Sequence, residues 1–175
     1  MHLGHKRRLE NGSARAILTA AGSIAAAALV VWMLPASAQD QAAADAGMKI
    51  WQRAGCAACH GTFAEGGGGG DQPAGPTLRR TRLDRAGLVE TIGCGRPGTA
   101  MPYHLKGAYA ETACYGLPLA AAGKDLSEGV LMSGAEINSL VDYLTARIVG
   151  KGAVTKAECG VYYANPNHPN CAAFR

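Results

Sequence analysis

The sequence predicts an all-α fold, and three observations carry that prediction. Residues 42–58 are rich in helix formers, with Gly47, Ile50, Trp51 and Ala54 recurring at steps of three and four. Residues 133–150 open with Ser133-Gly134-Ala135-Glu136, the S-x-x-E form of a capping box, and continue with Ile137, Leu140, Val141, Leu144 and Ile148 on one face. The first helix runs straight into Cys56-Ala57-Ala58-Cys59-His60, three chemistry-bearing residues within five positions, so the helices are expected to pack around whatever that motif holds.

Most of the basic balance of the 175-residue chain lies in its first segment. Lys6, Arg7, Arg8 and Arg15 stand against Glu10 and precede an apolar run over residues 16–34 that ends in Pro35-Ala36-Ser37-Ala38. This order is that of a secretory signal peptide, with cleavage expected after Ala38; an uncleaved membrane anchor is the alternative, since the run approaches the ~20 residues that span a bilayer. Without residues 1–38, 13 Lys and Arg face 12 Asp and Glu, a net +1 where the whole chain has +4. No concentrated basic face remains, which excludes a nucleic-acid binder. A periplasmic location follows, with no stable membrane insertion once the leader is removed. The expected organisation is a signal peptide over 1–38, one domain over 39–149 and a C-terminal extension over 150–175.

Within the first helix Gly47 costs about 1 kcal/mol relative to alanine, which points to a second helix crossing closely there, and Trp51 reads as a core aromatic. Residues 61–75, with the unbroken run Gly66 to Gly70, read as a flexible loop; no Gly-Lys-Ser/Thr follows and no strand precedes, so a phosphate cradle is excluded. A short amphipathic helix is expected over 83–92 from Leu83, Leu88, Val89 and Ile92. Gly95-Arg96-Pro97-Gly98 then forces an irregular turn into Thr99-Ala100-Met101-Pro102. Residues 103–132 lack sustained periodicity and read as an excursion with a little helix. The capped helix ends near Gly150, and the polar residues 151–175 are expected to be tied by Cys159 and Cys171 and not by a core.

The motif Cys56-x-x-Cys59-His60 has the spacing of covalent c-type haem attachment: two thiols add to the vinyl groups on one haem edge and the adjacent histidine meets the iron. A redox dithiol needs no histidine, and a zinc site needs two further ligands. The cofactor is therefore one haem c. Pro76, in Gly75-Pro76-Thr77-Leu78, has no N–H and leaves a carbonyl free to accept a hydrogen bond from His60. For the other side of the iron the choice is Met101, 41 residues past His60 in a Gly- and Pro-bounded segment, with Met132 and His104 as competitors; Met48 and His168 read as core and surface. Cys94, Cys114, Cys159 and Cys171 allow three disulfide pairings, and loop-closure entropy favours Cys94 with Cys114 and Cys159 with Cys171. The first bridge would brace the Met101 loop. Arg79, Arg80, Arg82 and Arg85 offer either a local basic patch for an acidic partner or an ordinary solvated face.

In order along the chain, Gly47-x-x-x-Trp51, Cys56-x-x-Cys59-His60, Gly75-Pro76-x-Leu78, Gly95-Arg96-Pro97-Gly98-x-x-Met101-Pro102 and the capped helix with Leu140 and Tyr143-Leu144 resemble the small monohaem class I cytochromes c over residues 42–149. The resemblance implies the all-α cytochrome c fold (class I), with the first and last helices crossing and the haem covalently bound. Cys56, Cys59, His60, Pro76 and Met101 would form the cofactor site, His60 and Met101 as axial ligands. It implies a one-electron carrier and not an enzyme. The long excursion between Met101 and Ser133, the extra cysteines and Ala113-Cys114-Tyr115-Gly116 are similar to a subgroup associated with methanol and related alcohol metabolism. There the donor would be a quinoprotein dehydrogenase, and the acceptor a terminal oxidase or another cytochrome. Two other functions compete: a haem enzyme or gas sensor with an open sixth position, and a haem subunit of a larger dehydrogenase complex.

Overall fold

A computed structural model describes residues 36–110 and 114–175; of the leader expected over 1–38, residues 1–35 lie outside the described residues. Five helices follow in order: α1 (Ala36–Arg53), α2 (Ala57–His60), α3 (Arg85–Cys94), α4 (Gly134–Arg147) and α5 (Lys156–Tyr162). The first helical segment does not run unbroken into the cysteine motif. It stops at Arg53, the chain turns at Gly55 with φ +72°, and the motif forms its own short helix. That backbone is one a glycine adopts without a Cβ penalty.

Helices α1 and α4 cross face to face, and Gly47 is where they touch. A Cβ built on Gly47 would stand 2.0 Å from the Ser139 carbonyl oxygen and 2.6 Å from Tyr143 Cβ. The crossing is flanked by two ion pairs, Arg53 with Glu136 at 2.7 Å and Arg147 with Asp45 at 2.6 Å. Helix α4 begins at the Ser133 N-cap, where Ser133 Oγ accepts from the Glu136 N–H and the Glu136 carboxylate accepts from the Ser133 N–H. Its stripe of Ile137, Leu140, Val141 and Leu144 is essentially fully buried and forms the main core with Trp51, Leu88, Ile92 and Met132.

Helix α3 starts two residues later than the sequence suggests, because Asp84 caps it by accepting from the Gly87 N–H. Leu83 therefore sits outside the helix and is 43% exposed, off the apolar face assigned to it. The 103–132 excursion carries two 3₁₀ turns and a parallel strand pair, β1 (Tyr103–Leu105) and β2 (Glu128–Met132). The all-α expectation thus holds for the helical body, and these strands are a minor addition to it. Strands this short leave no period to read.

Two further expectations are corrected. The glycine run is an ordered strap and not a free loop: the N–H groups of Gly66, Gly68 and Gly69 donate to the carbonyls of His60, Cys59 and Ala58 at 2.6, 2.8 and 3.1 Å. Those carbonyls belong to α2, whose last C=O groups have no donor within the helix. The tail has a core of its own, in which Phe63, Cys159 and Cys171 are buried among Tyr162, Tyr163 and Phe174. Disulfides join Cys94 to Cys114 and Cys159 to Cys171, with Cα atoms 5.4 and 5.5 Å apart.

Candidate functional site

The helices and the two loops between α2 and β1 enclose a cavity of about 1040 Å³. Its walls are mostly apolar, with Trp51, Leu78, Leu88, Ile92, Leu140 and Leu144 among the lining residues. Cys56, Cys59, His60, Pro76 and Met101 all reach it, so the five residues singled out in the sequence share one space. The competitors separate there. His104 lines the cavity, whereas Met132 is fully buried in the main core and does not line it.

His60 is held in one orientation. Its Nδ1–H donates to the Pro76 carbonyl oxygen 2.9 Å away, which leaves Nε2 as the nitrogen without a proton. Gly75 makes the approach possible, since a Cβ there would lie 2.8 Å from His60 Nδ1. The loop that carries Met101 is set by short-range backbone contacts: the Arg96 N–H donates to the Met101 carbonyl at 3.1 Å, and the Met101 N–H donates to Thr99 Oγ1 at 3.2 Å. His104 Nδ1–H donates to the Val130 carbonyl at 2.9 Å, tying β1 to β2 beside the cavity.

The donor set fits a flat, covalently attached macrocycle. Cys56 and Cys59 are the two cysteines outside disulfides, and both face the cavity. Burial pushes the Cys56 thiol up to about 12, and its own backbone hydrogen bond opposes this only in part. The Trp51 indole N–H is buried at the cavity wall with no hydrogen-bond partner among the described residues. Two thiols, an imidazole nitrogen and a thioether around an apolar space suit a haem better than a hydrated metal ion. Among the described residues no group of three or more His, Cys, Asp or Glu side chains is placed to hold a metal ion.

Two of the four arginines expected as a patch are committed elsewhere. Arg79 is 4% exposed; it donates to the carbonyls of Phe63, Gly152 and Ala153 and pairs with Glu158 at 2.9 Å. Arg85 pairs with Asp142 at 2.6 Å. Arg80 and Arg82 stay exposed. The inward turn of Arg79 left one trace in the sequence: Thr155-Lys156-Ala157-Glu158 is a second capping box, and it fixes the carboxylate that Arg79 meets.

Residues 42–111 match the family model described as cytochrome C oxidase, cbb3-type, subunit III. No curated protein and no solved structure gives a match to the chain. Among the described residues no helix is long and apolar enough to cross a membrane.

Proposed function

We propose that this chain is a class I c-type cytochrome with a covalently bound c-type haem, a reading supported by the family-model match over residues 42–111, and that it works as a periplasmic one-electron carrier and not as an enzyme. The haem supplies a ferrous/ferric iron couple, and electron transfer through it is the activity that the domain supports. One observation carries the finer reading: His60 and Met101 line the same cavity, and His60 is locked by Pro76 with its Nε2 free of a proton. In this reading Cys56 and Cys59 bind the haem edge as thioethers, His60 Nε2 and the Met101 sulfur are the axial ligands, and Pro76 keeps the imidazole from rotating. Met/His ligation raises the reduction potential, and the apolar lining keeps water from the iron. The leader in the sequence supports export, and the excursion between Met101 and Ser133 supports a quinoprotein dehydrogenase as donor, with a terminal oxidase or another cytochrome as acceptor.

Haem staining and visible spectra of the exported protein test this, with carbon monoxide as the ligand probe. The expected result is a stained chain whose native ferrous form binds carbon monoxide poorly, and a Met101→Ala variant that binds it readily. Ready binding by the unaltered protein would instead favour an open-site haem enzyme or sensor. The matched family model describes an oxidase subunit, which favours a second reading, a haem subunit of a larger complex; a stoichiometric partner on co-purification would support it.

A further inference from the structure

A c-type haem brings two propionate carboxylates into its cavity, and the chain must meet that charge. Among the described residues the cavity lining contains no Asp, Glu or Lys, and the guanidinium groups on it are those of Arg80 and Arg96. The two stand on separate segments, Arg80 just after Pro76-Thr77-Leu78 on the His60 side and Arg96 at the start of the turn that carries Met101. Four other arginines, Arg53, Arg79, Arg85 and Arg147, are each paired with a carboxylate. Among the described residues neither Arg80 nor Arg96 has a side-chain hydrogen bond or ion pair, although both are exposed and free to find one. Among the described residues Arg82 and Arg175 also have no carboxylate partner, but neither lines the cavity, so Arg80 and Arg96 are set apart by being unpaired and facing that space.

We infer that Arg80 and Arg96 are positioning residues for the haem, each donating to a propionate at the mouth of the cavity. A planar guanidinium gives a carboxylate two parallel N–H donors, so each contact would fix the direction of a propionate as well as offset its charge. The placement has a consequence for the iron. A carboxylate without its cation adds negative charge near the iron and favours the ferric state, so removing either guanidinium lowers the reduction potential. The backbone link from the Arg96 N–H to the Met101 carbonyl also couples the propionate contact to the Met101 turn.

The assignment rests on the haem reading above, and its test separates the two. Midpoint potentials are measured on exported, haem-loaded protein and on R80Q, R96Q, R80K and R96K variants, at low and high ionic strength. The expected result is a lower potential for both glutamine variants that persists at high salt, with the lysine variants closer to the unaltered protein. In the ferrous protein, nuclear Overhauser contacts should link the Arg96 and Arg80 guanidinium protons to propionate methylene protons, a measurement that needs no variant to fold. A loaded protein that lacks those contacts and whose potential ignores both glutamine substitutions overturns the assignment alone. A shift that vanishes at high salt marks the arginines as remote surface charges and also overturns it. A chain that does not stain for haem overturns the haem reading and this inference with it.

Discussion

Arg79 Nη2 lies 2.9 Å from Glu158 Oε1, and this contact is the polar seam between the tail and the loop that supports His60. Burial pushes the Glu158 carboxyl up, but the Arg79 guanidinium and the Thr155 N–H together hold it below the usual range. Arg79→Ala would leave Glu158 unpaired and the Phe63, Gly152 and Ala153 carbonyls without this donor. Since the Glu158 side chain is 28% exposed, the loss is discounted from that of a fully buried pair to about 2–3 kcal/mol. Glu158→Gln keeps one acceptor and should cost about 1 kcal/mol. Urea titrations check both, and equal losses would show that the carbonyl contacts of Arg79 carry little.

Glu136 predicts the acid limb of stability. The Ser133 N–H, then Arg53 and the Ser133 hydroxyl, hold its carboxyl at about 2 against an ordinary 4.5. A folded-state value below the unfolded one means that the unfolded chain takes up the proton first, so this contribution is fully present above about 4.5 and is lost as the pH falls toward about 2. Glutamine at the same capping-box position keeps the reciprocal hydrogen bond and removes the charge. Glu136→Gln should therefore lose stability less steeply within that window than the unaltered protein. Denaturation series above and inside the window decide the point, and parallel slopes would refute it.

The glycine strap makes a contrast within one loop. A Cβ on Gly68 would stand 2.1 Å from the Ala58 carbonyl oxygen and 2.4 Å from Cys59 Cα, while one on Gly69 would meet nothing within 4 Å. Gly68→Ala must push the strap off the cysteine motif and should cost about 1–3 kcal/mol or more, as for overpacking a core. Gly69→Ala should be neutral within about 0.5 kcal/mol. Thermal melts of the two variants test the pair; a tolerated Gly68→Ala would mean that the strap lifts away at little cost.

What could be read in the sequence follows from how local each signal is. Gly47 announced a helix crossing because a glycine inside a helix needs a compensating contact, and Ser139 and Tyr143 of α4 supply it. Ser133 and Glu136 marked the start of α4 because a capping box is closed within four residues. The strap at Gly68 was hidden, because its partners are the backbone atoms of Ala58 and Cys59, and a run of glycines says only that the chain can bend. Arg79 misled for the same reason: its neighbours in sequence are exposed cations, while its partners lie more than 70 residues away, apart from Phe63. The parallel pairing of β1 with β2 depends on contacts across the excursion, which no periodicity encodes. Cys56, Cys59 and His60 could be singled out in the sequence because their signal is a spacing within five residues, and the structure brings them to one cavity, whereas Arg80 and Arg96 stand out only once the cavity is closed around them.

The Cys94–Cys114 bridge closes a segment of 20 residues that contains the Met101 turn. Closing a loop of that length stabilises the fold by about 3 kcal/mol in the chain-entropy account. Its local effect is the more specific one. Tyr109 donates to the Cys94 carbonyl at 2.7 Å and Tyr115 to the Gly95 carbonyl at 2.9 Å, so the C-terminal part of the bridged segment is fastened to the backbone where the turn starts. Removing the bridge in a Cys94→Ser, Cys114→Ser variant should free this turn before the α1 and α4 crossing loosens, because that crossing shares no residue with it. The Met–iron absorption band should weaken and carbon monoxide binding to the ferrous protein should rise, at temperatures where the helical circular dichroism is unchanged. A variant that loses global stability while keeping the band and its resistance to carbon monoxide would show that the bridge supports the fold and not the methionine.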